Sequence, residues 1–265
     1  MKIVAEPALR TFVEQALMQG RSPESVAGRV KTQEKGLPRI SADSIERFLK
    51  SVYGRRIEIH RKWLMRRRVW RKRRPKVNQL QDRKFIDIRP NIINRRGRVG
   101  DAEADFIVSG KTGNGIILTV ADRKLRVSFL ERILPVSIEH VHQAFVRIKK
   151  RYPELKTITT DNDILLIRHR ELEKLLGIAI YFCHPYHSWE KGTIENTNGE
   201  VRKSIPKGSD ISQYSKRFIR SVETKINDRY MKCLRYQTPK EALERYRKQK
   251  QRQRTRSKQK SECSD

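Results

Sequence analysis

The chain is poor in cysteine, in acidic residues and in long apolar runs, and each shortage removes a class of protein. Its three cysteines, Cys183, Cys233 and Cys263, are odd in number for a disulfide framework and too far apart for a zinc ribbon, which leaves free thiols. No stretch reaches the roughly 18 consecutive apolar residues that a membrane span requires. The opening Met1-Lys-Ile-Val-Ala-Glu lacks the apolar segment of a secretion signal, so a cytoplasmic, reducing location is expected. Acidic residues number 30 against 61 Lys plus Arg, for a formal charge of +31 and a pI near 10.6. Such a surface attracts polyanions, and counterion release on neutralising phosphates supplies most non-specific affinity for nucleic acid. Charge alone does not separate DNA from RNA. Hydrophobic residues make up a modest 36% of the 265 residues, but they concentrate between about residues 106 and 182. That is enough for one good core with a small satellite domain, and it excludes a disordered chain.

The first fifty residues read as helical. Leu9, Phe12, Val13, Ala16 and Leu17 fall on one face of an amphipathic helix stopped by Gly20. Ser22-Pro23 then supplies an N-cap and a first-turn proline, with Val26, Ala27 and Val30 as the apolar side. After Gly36-Leu-Pro38, Ser41 caps a third helix whose Ile45, Phe48, Leu49 and Val52 are predicted to face inward. Three short helices with a turn before the last read as a small all-α helix-turn-helix domain over residues 1–54, shortened at its N-terminus. Asp43, Ser44, Arg47 and Lys50 are then candidates for the major groove. A three-helix bundle that mediates protein contacts would show the same spacing.

A basic linker arm over residues 55–98 follows. From Arg61 to Lys76, ten of sixteen residues are Lys or Arg and none is acidic. Arg66, Arg67, Arg68, Arg71, Lys72, Arg73 and Arg74 are its candidate phosphate contacts. A charge run is usually a solvated face, yet so many uncompensated cations repel one another unless a polyanion lies nearby. A second run, nine cations between Arg245 and Lys260, marks residues 249–265 as a basic tail after a helix from Pro239.

Between these flanks the pattern changes. A run of strands is predicted from Phe106, with Gly115–Ala121 and Leu125–Leu130 rich in branched residues and joined through Asp122-Arg-Lys as a hairpin. Ile138, Val141, Phe145 and Ile148 repeat at helical spacing. Leu155–Thr160 reads as a strand, Leu172, Leu175 and Leu176 as a helix ending at Gly177, Ile178–Phe182 as a fifth strand, and a helix follows from about Thr193. Three strands, helix, strand, helix, strand, helix is the order of the ribonuclease H-like fold, an α/β mixed sheet with helices on both faces. We place this domain at residues 99–248.

Three carboxylates fall at the ends of these elements. Asp105 is expected at the start of the first strand, Asp161 at the C-terminal end of the fourth, and Glu195 near the start of the next helix; 33 residues separate the last two. Acids at strand ends are what a chain needs to hold two magnesium ions for phosphodiester chemistry, because hard cations prefer oxygen ligands. They look like a D-D-E nuclease site. Cys183-His-Pro-Tyr-His187 offers a thiol and two imidazoles but no second ligand pair at zinc spacing, and its alternative reading is a strand end and surface loop.

The segments Asp101-Ala-Glu-Ala-Asp-Phe-Ile-Val, Leu118-Thr-Val-Ala-Asp-Arg-Lys124, Thr159-Thr-Asp-Asn162, Tyr181-Phe-Cys-His-Pro-Tyr-His-Ser-Trp189, Lys191-Gly-Thr-Ile-Glu-Asn-Thr-Asn-Gly199 and Ile205-Pro-Lys-Gly208 occur in order. Together they resemble the insertion sequence thirty family of bacterial transposases, over roughly residues 22–246. The resemblance implies a DNA transposase that binds terminal inverted repeats and carries out metal-dependent strand cleavage and strand transfer. Asp105, Asp161 and Glu195 would be its metal ligands for two Mg2+ ions, with Mn2+ able to substitute, and Arg202 would be the basic partner two helical turns after the Glu. Asn162 and Asn196 would steady the acids or touch DNA, and His184, Tyr186, His187 and Trp189 would line the approach. Double-stranded DNA, as element ends and as target, is the implied partner, handled by a homodimer or larger assembly at the bacterial nucleoid, with no membrane and no small-molecule substrate.

The chain departs from the family pattern at Ala102, where a Trp is usual, and at Asp163-Ile-Leu-Leu166, where Gly and later Glu-Phe are usual. The extra Asp163 is expected to disturb metal binding, and the missing Gly to strain the loop. The alternative reading is therefore a decayed relic that only binds DNA or represses related elements.

Overall fold

The computed structural model describes residues 1–64, 83–184 and 188–262; for residues 62–64, 188, 189, 254 and 256–262 the backbone alone is described. The chain forms two compact units, one of residues 1–73 with 228–265 and the other of residues 74–227. The boundary differs from the sequence reading, which carried the second domain to residue 248.

The first unit begins with α1 (Lys2–Ala5), α2 (Pro7–Met18), α3 (Pro23–Thr32), α4 (Ala42–Lys50) and α5 (Arg55–Leu64). Its starts are written in the sequence. Ser22 Oγ accepts from Ser25 N and Ser41 Oγ from Ser44 N, each satisfying a donor that the first turn of α3 or α4 leaves open. Leu9, Val13, Ala16 and Leu17 of α2, Val26 and Val30 of α3, and Ile45, Phe48 and Leu49 of α4 are buried together. Val52 is 83% exposed, contrary to expectation, because α4 stops at Lys50 and the chain turns before the residue can come round to the core.

The second unit is built on a sheet. After a short α6 (Asn91–Asn94) come β1 (Asp101–Val108), β2 (Ile116–Asp122), β3 (Ser128–Ile133), α7 (Ile138–Arg151), β4 (Thr157–Thr160), α8 (His169–Leu176), β5 (Ala179–Phe182), α9 (Gly192–Ser204) and α10 (Lys216–Asn227). The five strands lie in the order β3-β2-β1-β4-β5. β1, β2 and β3 are antiparallel neighbours, while β4 and β5 run parallel to β1. β1 starts at Asp101, earlier than the predicted Phe106, so Asp105 sits in mid-strand instead of at its start. β3 likewise starts three residues later than predicted, after a turn in which Arg126 takes a positive φ of 61°.

Alternate residues of β1 face opposite layers. Phe106 meets Phe145 of α7 edge-on, at 6.5 Å between ring centroids. On the other face Ile107 joins Ile117, Leu130, Val201, Ile205, Ile219, Val222 and Ile226 in a core shared with α9 and α10. The sheet is thus covered on both faces. α10 went unread in the sequence although Ile219, Val222 and Ile226 are helically spaced.

Residues 228–262 belong to the first unit and carry α11 (Pro239–Glu262), so the helix continues through the segment read as a basic tail. Arg29 of α3 holds Glu241 through two 2.8 Å bonds, and Tyr230 stacks on Phe12. Among the described residues no helix is long and apolar enough to cross a membrane.

Candidate active site

Asp105 projects from the central strand toward α9. Its Oδ2 accepts from Asn198 Nδ2 at 2.7 Å, and its Oδ1 lies 3.3 Å from Lys191 Nζ. The same ammonium reaches Asp161 Oδ2 at 3.1 Å. Asp161 is the first residue after β4, on the strand parallel to β1, so sheet pairing alone brings the two acids to one place. Thr119, opposite Asp105 on β2, donates to the Asp105 carbonyl at 3.0 Å and lies 2.8 Å from Asn198 Oδ1, fixing the amide that holds the carboxylate.

The electrostatics follow from this arrangement. Burial raises the Asp105 carboxyl above its ordinary value, and the Lys191 charge opposes that rise. Burial alone would lower the Lys191 ammonium, but Asp161 and Asp105 outweigh it and hold the group above its usual range. Asp161 Oδ1 is buried without a hydrogen-bond partner.

Glu195 is exposed in the first turn of α9. It stands three residues before Asn198, which puts the two on one helical face with Cβ atoms about 5–6 Å apart. Among the described residues no set of three His, Cys, Asp or Glu side chains is assembled to hold a metal. The aspartates converge on the lysine instead, and Glu195 stands apart from them. The donor set of the pair still suits a hard cation, since both acids offer oxygen, an ammonium already stands between them, and one buried oxygen lacks a partner.

Two further contacts set α9 against the sheet. Glu103, two residues before Asp105 on the same face of β1, accepts from Ile194 N at 2.9 Å and from Arg123 Nη1 at 2.5 Å. A carboxylate at the N-terminus of a helix also opposes its dipole. Arg202, two helical turns after Glu195 on α9, reaches the carbonyls of Pro206 at 3.3 Å and Val108 at 3.4 Å with its guanidinium.

The other expected residues are distributed more widely. Asn162 is turned into the protein: its Oδ1 accepts from Arg83 Nη1 at 2.7 Å and its Nδ2 donates to the Cys183 carbonyl at 2.8 Å. Asn196 is exposed on α9. Asp43, Arg47 and Lys50 are exposed on α4, in the other unit, and Ser44 is half-buried beside Ser41. Arg66, Arg67, Arg68, Arg71, Lys72, Arg73 and Arg74, with Tyr186, His187 and the Trp189 side chain, lie outside the described residues. His184 lies 3.1 Å from Glu190 through Nδ1 and 2.7 Å from Asp87 through Nε2, and stacks on Phe85. Its hydrogen bond to Glu190 raises its pKa most, desolvation opposes the rise, and Asp87 adds to it. Cys183 is buried, which pushes its thiol up to about 12.

Asp163 does not strain the loop, although burial and, after it, the nearby Asp161 charge raise its carboxyl above the ordinary value. Its carboxylate accepts from Leu165 N at 2.8 Å, capping a short 3-10 turn, and its φ of −68° needs no glycine. Arg83 stands beside it and donates to its carbonyl at 3.2 Å. Ala102, at the position where a Trp was expected, is fully buried in β1.

The sequence reading missed Lys191, Asn198, Glu103 and Thr119. Asn198 was within reach, since it lies one helical turn after Glu195. Lys191 left no signal among so many cations.

No family model matches the chain. Among solved structures it resembles the catalytic core domain of BIV integrase, at 16% identity and a TM-score of 0.43, over 57% of this chain and 97% of that one. The relatives by sequence are closer. The transposase of insertion sequence element IS4351 from Bacteroides fragilis is 36% identical over 244 residues, which cover 91% of this chain and 74% of the relative. The InsI transposase of IS30A from Escherichia coli is 35% identical over 254 residues, 89% of this chain and 64% of the relative. The chain belongs to the family of insertion-sequence transposases that includes the IS30 elements.

Proposed function

We propose that this chain cleaves and joins DNA strands at the ends of an insertion sequence, using Asp105, Asp161 and Glu195 on a ribonuclease H-like sheet to hold two Mg2+ ions, with Mn2+ able to substitute. The observation that carries the reading is the single ammonium held by carboxylates from two adjacent parallel strands, with the first turn of α9 alongside. The mixed pairing around β1, antiparallel to β2 and parallel to β4, supports that reading.

Bound there, the ions would lower the pKa of an attacking water or 3′-hydroxyl and neutralise the leaving oxygen. The protein's own part is positioning. Asn198 and Thr119 hold Asp105 in one orientation, and Glu103 fixes the start of α9, the helix that carries Glu195. Arg202, on the same face of that helix, would receive a phosphate of the substrate. No covalent enzyme intermediate is needed, so cleavage and transfer can share the site.

DNA is held through phosphates by the arm around residues 61–76, together with Asn196 and Trp189. α3 and α4 act as a helix-turn-helix that offers Asp43, Ser44, Arg47 and Lys50 to the terminal repeats. Two element ends must be brought together, so the working form is a dimer or larger on DNA.

The test is incubation of the full chain and its Asp161→Asn variant with a duplex carrying the element's own terminal repeat, in Mg2+ or Mn2+. Nicking or strand joining by the parent and none by the variant is expected. Binding without cleavage by both refutes the catalytic assignment.

A further inference from the structure

Lys191 has no part in the function just described, yet it is the most constrained charge at the site. The lysine side chain is 6% exposed, and its ammonium bridges the two carboxylates at 3.3 and 3.1 Å. A buried ammonium is tolerated only when it is paired, and two carboxylates this close repel each other without a cation between them. Each side therefore needs the other in the absence of metal. A lysine is also the right residue for a temporary arrangement. It is a compact charge on a flexible stem, whereas an arginine would grip both acids with a planar fork. Lys191 is the residue just before α9 and is carried on a 3-10 turn, Ser188–Lys191, so its stem can withdraw without moving the helix that bears Glu195 and Asn198.

Resting on the reading of Asp105 and Asp161 as metal ligands, we propose that Lys191 is the resident counter-ion of the metal-free site: its ammonium stands where a divalent cation binds, keeps the two acids together until that ion arrives, and is displaced when it does. The lysine then sets how tightly metal is held, because each binding event must expel it. It also accounts for Glu195 standing outside the cluster, since the site completes itself only when the ammonium leaves.

The experiment uses the full chain stripped of metal with a chelator, as the parent and as Lys191→Gln, Lys191→Arg, Asp161→Asn and Lys191→Gln/Asp161→Asn variants. Free Mn2+ is measured by electron paramagnetic resonance, and melting is followed with and without Mn2+. Metal-free Lys191→Gln is expected to melt several degrees below the parent, with Asp161→Asn in the same chain restoring part of the loss, as a double-mutant cycle requires of interacting groups. Lys191→Gln should bind Mn2+ about tenfold or more tightly than the parent, the effect of one expelled charge at this range, and Lys191→Arg more weakly. Should the parent bind Mn2+ through Asp161 and Lys191→Gln bind it no more tightly, the counter-ion role is wrong and the metal assignment stands. The counter-ion role is equally wrong if Lys191→Arg binds more tightly than the parent. Should neither the parent nor Lys191→Gln bind Mn2+ at millimolar concentration, the metal assignment fails and this inference with it.

Discussion

Replacing Glu103 by Ala puts the positioning of α9 to a quantitative test. The Glu103 side chain is 1% exposed and its partner Arg123 is 7% exposed. Removing the carboxylate leaves a buried guanidinium without its anion and leaves the Ile194 N–H without its acceptor. Breaking a buried pair from one side costs about 3–5 kcal/mol, and an orphaned donor adds about 1–3 kcal/mol if no water enters. Water can reach part of the vacated volume, so a loss of about 4 kcal/mol is expected for the second unit. At about 2–4 °C per kcal/mol for a unit of this size, its melting temperature should fall by about 8–16 °C. Calorimetry of the full chain reads the loss, and hydrogen exchange at β1 and the first turn of α9 locates it. Glu103→Gln retains an oxygen for Ile194 N and should lose less. Glu103→Leu/Arg123→Met removes both charges together and should recover most of the stability, because the cost lies mainly in the uncompensated partner. A loss below about 1 kcal/mol for Glu103→Ala, or a double variant as unstable as the single one, refutes the reasoning.

Asn198→Ala removes the amide that orients Asp105 while costing only about 1 kcal/mol of stability; strand nicking should fall about tenfold or more at an almost unchanged melting temperature, misplacement of a reacting group being expensive. In the first unit, a Cβ on Gly28 would run into the ring of Tyr236, whose own φ is +61°. Gly28→Ala should therefore destabilise that unit by about 1–3 kcal/mol, read as faster hydrogen exchange in α2–α4. The His184 imidazole titrates above its ordinary value because Glu190 and Asp87 favour the charged form. Its contribution is thus fully present below the unfolded value, near 6.5, and is lost as pH rises through the folded value. An NMR titration should show that midpoint falling in Glu190→Gln. Replacing Arg66, Arg67, Arg68 and Arg71 by Gln should flatten the salt dependence of DNA binding, by about 0.9 in log–log slope for each phosphate that is no longer neutralised; an unchanged slope would remove those residues from the interface.

The helices that carry their own start signals were legible. Ser22 and Ser41 each cap a helix, because an N-cap is satisfied within three residues and owes nothing to the rest of the fold. Asp161 could be placed because a run of branched residues ends just before it. The start of β1 could not. Asp101 and Glu103 look like loop residues, yet both are fully buried, Asp101 against Arg98 and Thr157 and Glu103 against Arg123. Polarity signals a surface only until a distant partner neutralises it, and that partner is invisible to a local pattern. Lys191 escaped notice for the same reason, its meaning lying in residues 86 and 30 positions away in the chain. The boundary between the units escaped too, since nothing local to residues 228–262 shows that they pack with α2 and α3.

The alternation of β1 lets one strand carry both structural acids and the acid proposed for chemistry. Asp101, Glu103 and Asp105 occupy successive positions on the same face of the central strand, a row of carboxylates that would repel one another if left alone. Each is met by a cation from outside the strand: Arg98 for Asp101, Arg123 for Glu103 and Lys191 for Asp105. The first two acids are sealed, at 0% and 1% side-chain exposure, and their partners are arginines, which do not lose their proton. The third acid is 23% exposed and its partner is a lysine. Burial and partner type change together at the one position where the row meets Asp161. A strand whose acids were all structural would have no reason to open at that point or to exchange arginine for a cation that can leave. The graded row supports the proposed division between Asp105, assigned to chemistry, and the two acids that hold the sheet and α9 in place.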